Sequence, residues 1–341
     1  MAIRLRDVAE KAGVTPVVVS RVLHNKANGI RVSEATAQRI RDAAEDLGYR
    51  VNVWARNFRN QRTMALGVLH GTGFPRPMLD RGSRYFASLM DGIIEGAFKH
   101  GYSVTMCPKL LGEDSNDAMN DGRFDGLIWY STSPPPEMKE QIIRSVVPIV
   151  VLHAHTAEFG GRIPTVICDN YQGIKLAVDH LASLGHRKIS FAMERELLSN
   201  EVHERRDAFL KTSEQAGLPV TSADVIQLDW ERRDLHTYLL NPLHSAVICF
   251  SDGLAADFIA IAQEHGLTIP KDLSVIGFDS TAFCNELRPE LTSISQPLLR
   301  IGETAIDVLV KRIEGEMVEP MESVLPCTLD IRRSTESVLQ S

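Results

Sequence analysis

Apolar and polar positions over the first fifty residues recur with the period of short amphipathic helices. Apolar side chains three and four positions apart predict the first helix: Leu5, Val8, Ala9 and Ala12. Gly13 ends this helix, and Thr15 as N-cap with Pro16 in the first turn predicts a second helix through about His24. A third helix, capped by Ser33 and ended by the next glycine, has an apolar side of four residues: Ala37, Ile40, Ala44 and Leu47. Two helices joined by a tight turn and followed by a supporting helix are the helix-turn-helix arrangement.

The second of these helices contains a run of three valines, Val17 to Val19, that is equally compatible with a strand. β-branched residues lower helix propensity because their χ1 angle is restricted. Thr15 and Pro16 favour a helix, since both residues are typical of a helix N-terminus. We therefore expect a helix at this position.

The remainder of the chain alternates short apolar runs with longer amphipathic segments. A first series predicts strands at residues 65–69, 102–107, 126–130 and 149–153, with helices at residues 85–100 and 137–145. A second series predicts strands at residues 165–168, 188–192, 246–249 and 274–278, with helices at residues 171–184, 202–216 and 253–265. Short strands that alternate with helices indicate parallel sheets with right-handed crossovers. The pattern thus predicts two similar α/β half-domains.

Charge is distributed unevenly between these two parts of the chain. Residues 1–62 contain twelve Lys and Arg against six Asp and Glu. The remaining residues contain 25 Lys and Arg against 38 Asp and Glu. The net charge of −7 therefore conceals a basic N-terminal head on an acidic body. A basic head with helix-turn-helix spacing indicates binding to DNA. The alternative is a three-helix protein-interaction module with a solvated basic face.

The second helix of a helix-turn-helix enters the major groove, and its N-terminal side chains contact base edges. We expect Pro16, Val17, Ser20 and Arg21 to do so here, with the cap Thr15 on the same surface. Arg21 carries a guanidinium fork that suits guanine O6 and N7. Pro16 and Val17 offer only apolar contacts, for example to thymine methyl groups.

Several protein classes are excluded by what the sequence lacks. The longest nearly apolar run, residues 146–154, includes Pro148 and His153 and is far shorter than the roughly 20 residues of a membrane helix. No apolar stretch follows Arg4 and Arg6, so we expect no secretory signal and a cytoplasmic protein. The five cysteines form no CxxC pair, and GxGxxG, P-loop, HExxH and GxSxG motifs are absent. We therefore expect no metal site, no disulfide framework and no cofactor.

Several segments of the chain resemble the LacI/GalR family of bacterial transcriptional regulators. They are DVAEKAGVTPVVVSRVL and RVSEATAQRIRDAAEDLGYRVNVWAR in the head, then LGHRKISF, HERRDAFL, SVIGFDS, LTSISQP and LPCTLDIRRST in the body. The resemblance spans essentially the whole chain. It implies an all-α helix-turn-helix head plus an α/β periplasmic-binding-protein-like core of two doubly wound parallel-sheet subdomains. It also implies a homodimeric repressor or activator that binds a near-palindromic double-stranded operator, with an affinity set by a small sugar-like effector; of the two, we expect a repressor.

The resemblance assigns a role to the segment that follows the head. In the family this hinge folds as a helix on DNA, and the two hinges of a dimer enter the minor groove. The DNA-facing hinge residues are then Asn52, Ala55, Arg56 and Phe58. Phe58 replaces the usual wedge leucine, while Arg4, His24 and Val51 stand where a Thr cap, an Asn and a Pro are common. We include His24 in the DNA-binding set, and the alternative for the hinge is an inert linker whose Trp54 and Phe58 dock on the body.

Ligands of open parallel sheets bind beyond the carboxyl ends of the strands. Polar residues stand at several predicted strand ends: His70, Tyr130, His153, Ser251, Asp252 and Asp279. The resemblance places Arg205 at an effector-clamping position, Asp279 at a hydroxyl-accepting position and Trp230 at a position that stacks on ligand in some members. A guanidinium fork, a carboxylate and an aromatic face suit a polyhydroxylated ring.

Two substitutions bear on the ligand itself. His153 stands where the family commonly has Asp, and Ser251 where Asn is common. Because an imidazole can donate hydrogen bonds, we expect the site to favour a more acidic ligand, such as a sugar acid or phosphate. Arg205 also allows a plainer interpretation, in which it only forms surface ion pairs with acidic neighbours on its helix.

These observations predict a homodimeric regulator with a DNA-binding head, a hinge and a two-part sensor. The expected boundaries are 1–50 for the head, 51–62 for the hinge, 63–163 with 296–323 for the first subdomain, and 164–295 with 324–341 for the second. Closure of the subdomains on an effector changes whether the paired hinges insert into DNA. Two other classes stay open: a sugar-handling enzyme with a nucleic-acid-binding head, and a sensor that binds DNA irrespective of ligand.

Overall fold

The computed structural model describes residues 3–23, 32–50, 62–70, 84–107, 119–130, 134, 136–195 and 199–338, with residues 70 and 84 described in their backbone only. The chain divides into two compact units, Met1–Thr63 and Met64–Ser341, which are the head and the body. Within the described ranges, no helix is long and apolar enough to cross a membrane.

The head contains the three helices that the sequence predicts: α1 (Leu5–Ala12), α2 (Pro16–Leu23) and α3 (Glu34–Asp46). Gly13 follows α1 with φ 63°, a left-handed conformation that glycine adopts without steric strain. The Ser33 hydroxyl caps α3 by accepting a first-turn amide hydrogen at 3.3 Å. The helical prediction for the valine run is confirmed, because the Thr15 carbonyl accepts the amides of Val18 and Val19.

The apolar core of the head is small and is shared by all three helices. Its buried side chains include Val8 and Ala12 of α1, Val19 of α2, and Ile40 and Ala44 of α3. Two polar contacts join α1 to α3: Arg39 Nε donates to the Ala12 carbonyl at 3.0 Å, and Lys11 pairs with Asp46 at 2.9 Å. The apolar core buries Val19 of α2 and leaves the N-terminal residues of this helix on the surface.

The described part of the body is built on two six-stranded sheets. The strands are β1 (Ala65–His70), β2 (Ser103–Cys107), β3 (Gly126–Tyr130), β4 (Ile149–Leu152), β5 (Thr165–Cys168), β6 (Ile189–Glu194), β7 (Val225–Leu228), β8 (Ala246–Cys249), β9 (Ser274–Asp279), β10 (Thr292–Ser295), β11 (Glu322–Leu325) and β12 (Thr328–Asp330). The first sheet has the order β11-β5-β4-β3-β1-β2, and its described pairings are parallel. The second has the order β12-β10-β9-β8-β6-β7 and is parallel except where β12 meets β10.

Helices cover the faces of both sheets, as parallel sheets require. They are α4 (Arg84–Lys99), α5 (Pro136–Arg144), α6 (Asn170–Ser183), α7 (Asn200–Gln215), α8 (Arg233–Leu239), α9 (Asp252–Glu264) and α10 (Leu298–Ile313). Short 3-10 helices span Thr156–Phe159, Ser222–Asp224 and Ala282–Asn285. We call the first sheet with α4, α5 and α10 the first lobe, and the second sheet with α6 to α9 the second lobe. Every residue of β3, β4 and β5 is buried.

The chain passes between the lobes after β5, after β10 and between β11 and β12. We expected the second subdomain to begin at residue 164 and to resume at residue 324. The structure places β5 and β11 in the first sheet, where they pair with each other in parallel, so these crossings lie a few residues later. The apolar run of β5 predicts a strand but not its sheet, because its partner β11 is distant in sequence.

Close helix packing fixes α4 against α10 in the first lobe. A Cβ on Gly92 would lie 2.0 Å from the Leu299 carbonyl oxygen, and one on Gly302 would lie 2.6 Å from the Ile93 amide nitrogen. Only glycine permits so close an approach of two backbones. A 2.6 Å salt bridge between Lys99 of α4 and Glu303 of α10 extends the contact between the two helices. One side of α4 therefore packs closely against α10.

Candidate DNA-binding surface and effector site

The accessible side of α2 is the candidate DNA-binding surface. Thr15, Pro16 and Val17 are exposed at its N-terminus, and Val17 shows 67% of its surface to solvent. Ser20 and Arg21, one turn further on, are partly exposed. The structure thus brings the predicted base-reading residues of α2 onto one side of the helix. The other predicted DNA contacts lie outside the described residues: His24, Asn52, Ala55, Arg56 and Phe58.

Arg4 occupies the N-cap of α1, where the resemblance leads us to expect Thr. Its backbone N–H donates to the Asp7 carboxylate at 2.8 Å. A carboxylate in the first turn satisfies a free amide and interacts favourably with the helix dipole. The start of α1 is therefore stabilised without a capping hydroxyl.

The candidate effector site lies between the two lobes, and His153 forms its first-lobe side. His153 follows β4 with φ 59°, an uncommon conformation for a residue other than glycine. Its side chain is 4% exposed, and its Nε2 is hydrogen-bonded with the hydroxyl of Tyr85 on α4. Its Nδ1 lies 3.1 Å from Oε1 of Glu201 on α7. His153 therefore faces the second lobe across the site.

Arg205 forms the opposite side of the site and lies one turn after Glu201 on α7. Its side chain is 5% exposed, so the interpretation that it only forms surface ion pairs is wrong. Nε donates to Asn170 Oδ1 at 2.8 Å, and Nη1 donates to the Phe250 carbonyl at 2.7 Å. The guanidinium also lies 3.7 Å above the centroid of the Phe278 ring. These contacts hold the arginine in one orientation.

Glu201 lies between the histidine and the arginine. Its side chain is 17% exposed, and its Oε1 is 3.6 Å from Nη2 of Arg205. Burial favours the neutral carboxyl, but His153 and Arg205 outweigh it and hold the pKa of Glu201 below its ordinary value. The carboxylate is therefore ionised at neutral pH. Burial opposes the charge of Arg205 as well, yet Glu201 raises its pKa.

Asp279 ends β9 beside this group. Its backbone φ of 115° lies in a region that residues other than glycine rarely adopt. Such conformations cluster at functional sites. Its Oδ1 accepts a hydrogen bond from Gln296 Nε2 at 2.6 Å. Burial and the charge of Asp252 raise the pKa of Asp279 well above its ordinary value. Burial therefore favours the protonated form of this carboxyl more than it would for an exposed aspartic acid.

Asp252 and Ser251 have structural partners at the N-terminus of α9. Asp252 accepts hydrogen bonds from the Thr281 amide at 2.9 Å and from the Ser293 hydroxyl at 2.5 Å. Ser251 is the N-cap of α9 and accepts the Leu254 amide at 3.3 Å. Ser251 thus caps its own helix, and Asp252 connects that helix to residues beside β9 and in β10. Asp252 is buried and ties the strand ends of the second sheet to α9.

The remaining candidates occupy different surroundings. Tyr130 is buried at the end of β3, with its ring 4.8 Å from that of Phe86; burial and the nearby charge of Glu201 raise its pKa, so it lies close to the group around Glu201. Trp230 is exposed between β7 and α8. The side chain of His70 lies outside the described residues. Among the predicted effector residues, the structure brings His153, Arg205 and Asp279 into one group.

Three buried polar atoms around this group make no hydrogen bond to any described residue. They are His153 Nδ1, Glu201 Oε1 and Gln296 Oε1. The 3.1 Å approach of the first two therefore lacks hydrogen-bonding geometry. A buried polar atom without a partner costs about 1 to 3 kcal/mol, so such a cluster indicates a place for a ligand. In the described part of the chain, no group of three or more His, Cys, Asp or Glu side chains is arranged so that it could hold a metal ion.

A second polar contact between the lobes lies beside this site. His155 Nε2 is 2.8 Å from Oε1 of Glu204 on α7, and its Nδ1 is 3.0 Å from Oε1 of Glu322 on β11. Glu204 also accepts a hydrogen bond from Asn170 at 2.8 Å, which links it to Arg205. Burial opposes protonation of His155, but the two carboxylates outweigh it and raise its pKa.

Comparison with known proteins matches both units of this architecture. The sequence profile of bacterial regulatory proteins of the lacI family covers residues 4–52, and that of the periplasmic binding protein-like domain covers residues 178–335. The HTH-type transcriptional repressor PurR of Yersinia pestis is 31% identical over 97% of this chain and 96% of its own length. The chain belongs to the LacI family. It is therefore a DNA-binding transcriptional regulator, as the sequence resemblance predicted.

Solved structures agree with this assignment to the LacI family. The lac repressor dimer bound to operator superposes with a TM-score of 0.80 over 99% of this chain and all of that chain, at 23% identity, which shows the fold. A LacI family regulator from Enterococcus faecium with bound ribose is 26% identical, with a TM-score of 0.66 over 80% of this chain and 99% of that chain. The predicted fold class is confirmed.

Tyr85, Glu201 and Gln296 belong to the site but were not among its predicted residues. Glu201 could have been found, because it lies four positions before Arg205 and shares its side of α7. Gln296 lies in the segment LTSISQP, which carries the LacI-family resemblance. No signal in the sequence places Tyr85 beside His153, since the contact joins α4 to the end of β4.

Proposed function

We propose that this LacI-family protein is a cytoplasmic repressor that binds a near-palindromic operator as a homodimer. A polyhydroxylated, sugar-like effector bound between the lobes sets its affinity for DNA. The observation that carries the proposal is the buried polar group formed by His153 of the first lobe with Glu201, Arg205 and Asp279 of the second. A ligand at this place contacts both lobes at once.

The proposed mechanism is a shift between lobe arrangements. A ligand that binds one arrangement more tightly shifts the population toward it. In the proposed mechanism, closure of the lobes on a ligand shifts the first lobe relative to that of the partner subunit. The spacing of the two heads then changes, and with it the fit to both operator half-sites.

The relatives support operator DNA and a sugar-like effector as the two partners of this protein. The lac repressor was solved as a dimer on operator DNA, and the Enterococcus faecium regulator was solved with ribose. The repressor assignment follows PurR, which is named as a repressor. The exposed helix surface formed by Thr15, Pro16, Val17, Ser20 and Arg21 supplies a major-groove contact of the expected kind.

Dimer formation is supported by an apolar surface on the first lobe. Ile94 and Phe98 lie one turn apart on the side of α4 that faces away from α10, and Phe98 is 83% exposed. Met106 is exposed on β2, the edge strand of the first sheet. Apolar side chains grouped on one side of a helix indicate a protein interface. A second copy of the chain is the occupant that we propose.

The proposal is tested by selecting duplexes from a random pool with the full-length protein. We expect a near-palindromic consensus, with binding that weakens steeply as salt is added. Mobility-shift titrations with this duplex, with and without neutral sugars, then measure the effect of ligand on DNA affinity. A true effector also raises the melting temperature of the protein. If no duplex is preferred over random competitor, with or without small molecules, the proposal is wrong.

A further inference from the structure

We infer that Glu201 makes the effector site selective for ligands that donate hydrogen bonds and carry no negative charge. Neutral polyols and amino sugars fit this description, whereas sugar acids and sugar phosphates are excluded. The inference rests on the proposed function, because it concerns the same site. It reverses the acidic ligand that the substitution at His153 led us to expect.

The buried atoms without partners define what a ligand must supply. Glu201 Oε1 and Gln296 Oε1 are acceptors, and neither receives a well-aligned hydrogen bond, so each can take a donor from the ligand. His153 Nδ1 lies 3.1 Å from Glu201 Oε1, so one ligand group that lies beside the pair can be within hydrogen-bonding distance of both atoms. A hydroxyl group donates and accepts, and an ammonium group donates three times. A carboxylate or a fully ionised phosphate group has no proton to donate, so placed against these two oxygens it would leave them without a donor.

The positive charge of the site's arginine already faces a carboxylate of this chain, which weakens its attraction for an anionic ligand. Nε of Arg205 is held by Asn170, and Nη1 is held by the Phe250 carbonyl. Nη2 is the group nearest the carboxylate, 3.6 Å from Glu201 Oε1. The positive charge of Arg205 is thus already opposed by a carboxylate of this chain. An anionic ligand would have to displace that carboxylate or lie beside it.

The histidine does not restore an anion site. One ring nitrogen of His153 is engaged by the Tyr85 hydroxyl, and the other faces Glu201. Any ligand oxygen that reaches Nδ1 therefore comes close to a negative charge. Like charges brought together in a buried site repel each other strongly, because little water is present to screen them. The side chain that replaces the family's common Asp is thus paired with a carboxylate supplied from α7.

A first experiment needs no knowledge of the natural ligand. Inorganic phosphate is titrated against the full-length protein at constant ionic strength, with chloride as the reference, and binding is followed by calorimetry and by melting temperature. The variants are Glu201→Gln, which removes the charge, and Glu201→Asp, which keeps it. Glu214→Gln is the matched control, since Glu214 is exposed on the same helix.

We expect no phosphate-specific binding in the parent protein, in Glu201→Asp or in Glu214→Gln. Glu201→Gln leaves Arg205 without its opposing charge and is expected to bind phosphate at least about tenfold more tightly than the parent does. Specific phosphate binding by the parent protein would overturn the inference. So would a Glu201→Gln protein that folds normally by circular dichroism yet gains no affinity for phosphate.

A second experiment uses sugars in matched sets: glucose, glucosamine, glucuronate and glucose 6-phosphate, and ribose with ribose 5-phosphate. The parent protein is expected to be stabilised only by neutral or amine-bearing members, and Glu201→Gln to lose this preference. Stabilisation of the parent by an acid or phosphate above its neutral counterpart contradicts the inference. Operator binding by parent and variant in the absence of ligand tests the proposed function separately.

Discussion

At the scale of single residues, Arg21 combines charge with planar donor geometry on α2. It is the only arginine or lysine in Pro16–Leu23, and it lies one turn from the exposed Val17. A bidentate contact to guanine contributes about 1 to 3 kcal/mol of discrimination against the wrong base. We therefore expect Arg21→Ala to weaken binding by this amount and to relax preference at one base pair in each half-site. Competition titrations over singly substituted operators measure both effects.

The matched control for this change is Arg41→Ala in the same head. Arg41 lies on α3, where its guanidinium pairs with Glu34. Its loss is expected to leave base preference unchanged. A uniform loss of affinity across all operators in Arg21→Ala would instead assign Arg21 to the phosphate backbone.

Sequence motifs located His153, Arg205 and Asp279, but they did not determine how each is used. Whether a polar side chain at a strand end faces a ligand depends on partners from other elements. Asp252 is engaged by Thr281 and Ser293, both distant in sequence, so its structural role was not evident beforehand. Glu201 changes the chemistry of the site because the fold brings it to His153 across the lobes.

At the scale of elements, the contact between α4 and α10 depends on the absence of side chains. A Cβ on Gly92 would lie 2.0 Å from the Leu299 carbonyl oxygen, which is backbone and cannot move independently of α10. We expect Gly92→Ala to force the helices apart and to lower the free energy of unfolding by about 1 to 3 kcal/mol. Urea denaturation of the full chain measures this change.

Asp91→Ala is the matched control on the same helix. Asp91 is exposed, so the variant should unfold within about 0.5 kcal/mol of the parent protein. Because alanine favours helix more than glycine does, Gly92→Ala would be neutral or stabilising if the helices could separate freely. Equal stability of Gly92→Ala and the parent protein would therefore show that the packing is not tight.

Local chemistry made some elements predictable and left others undetermined. Thr15 and Pro16 decided that α2 is a helix despite its valines, because capping is a local interaction. The sheet to which β5 belongs is set by pairing with β11, which no local pattern reveals. The amphipathic helix α10 was not predicted, although Ile301, Ala305 and Leu309 recur at helical spacing on its buried side.

At the scale of the whole molecule, His155 makes the contact between the lobes sensitive to pH. Its ring lies between Glu204 of the second lobe and Glu322 of the first. Burial opposes protonation, but the two carboxylates raise the pKa of His155 above its ordinary value of 6.5. The protonated folded state is therefore favoured relative to the unfolded state. This stabilisation is complete below about pH 6.5 and is lost as the pH rises through the raised pKa.

We expect the parent protein to exceed His155→Gln in stability by the largest margin near pH 6. The margin should shrink at more alkaline pH, where both proteins have a neutral side chain at this position. Urea denaturation of the two proteins between pH 5.5 and pH 9 provides the comparison. His203→Gln on α7 serves as the control. A margin that grows with pH would contradict the role given to the carboxylates.

The apolar surface of Ile94, Phe98 and Met106 makes the oligomeric state of the molecule testable. Phe98 is 83% exposed, on the side of α4 that does not pack on α10. If a second copy covers this surface, Phe98→Asp places a charge in an apolar interface without a partner, and the dimer should dissociate.

The mass of each protein in solution is measured by light scattering after size-exclusion chromatography. Val146→Asp, a change at an equally exposed apolar residue of the same lobe, should remain dimeric. A dimeric Phe98→Asp protein would place the interface elsewhere. A monomeric one should bind a single half-site far more weakly than the parent protein binds the full operator, because the two heads are no longer linked.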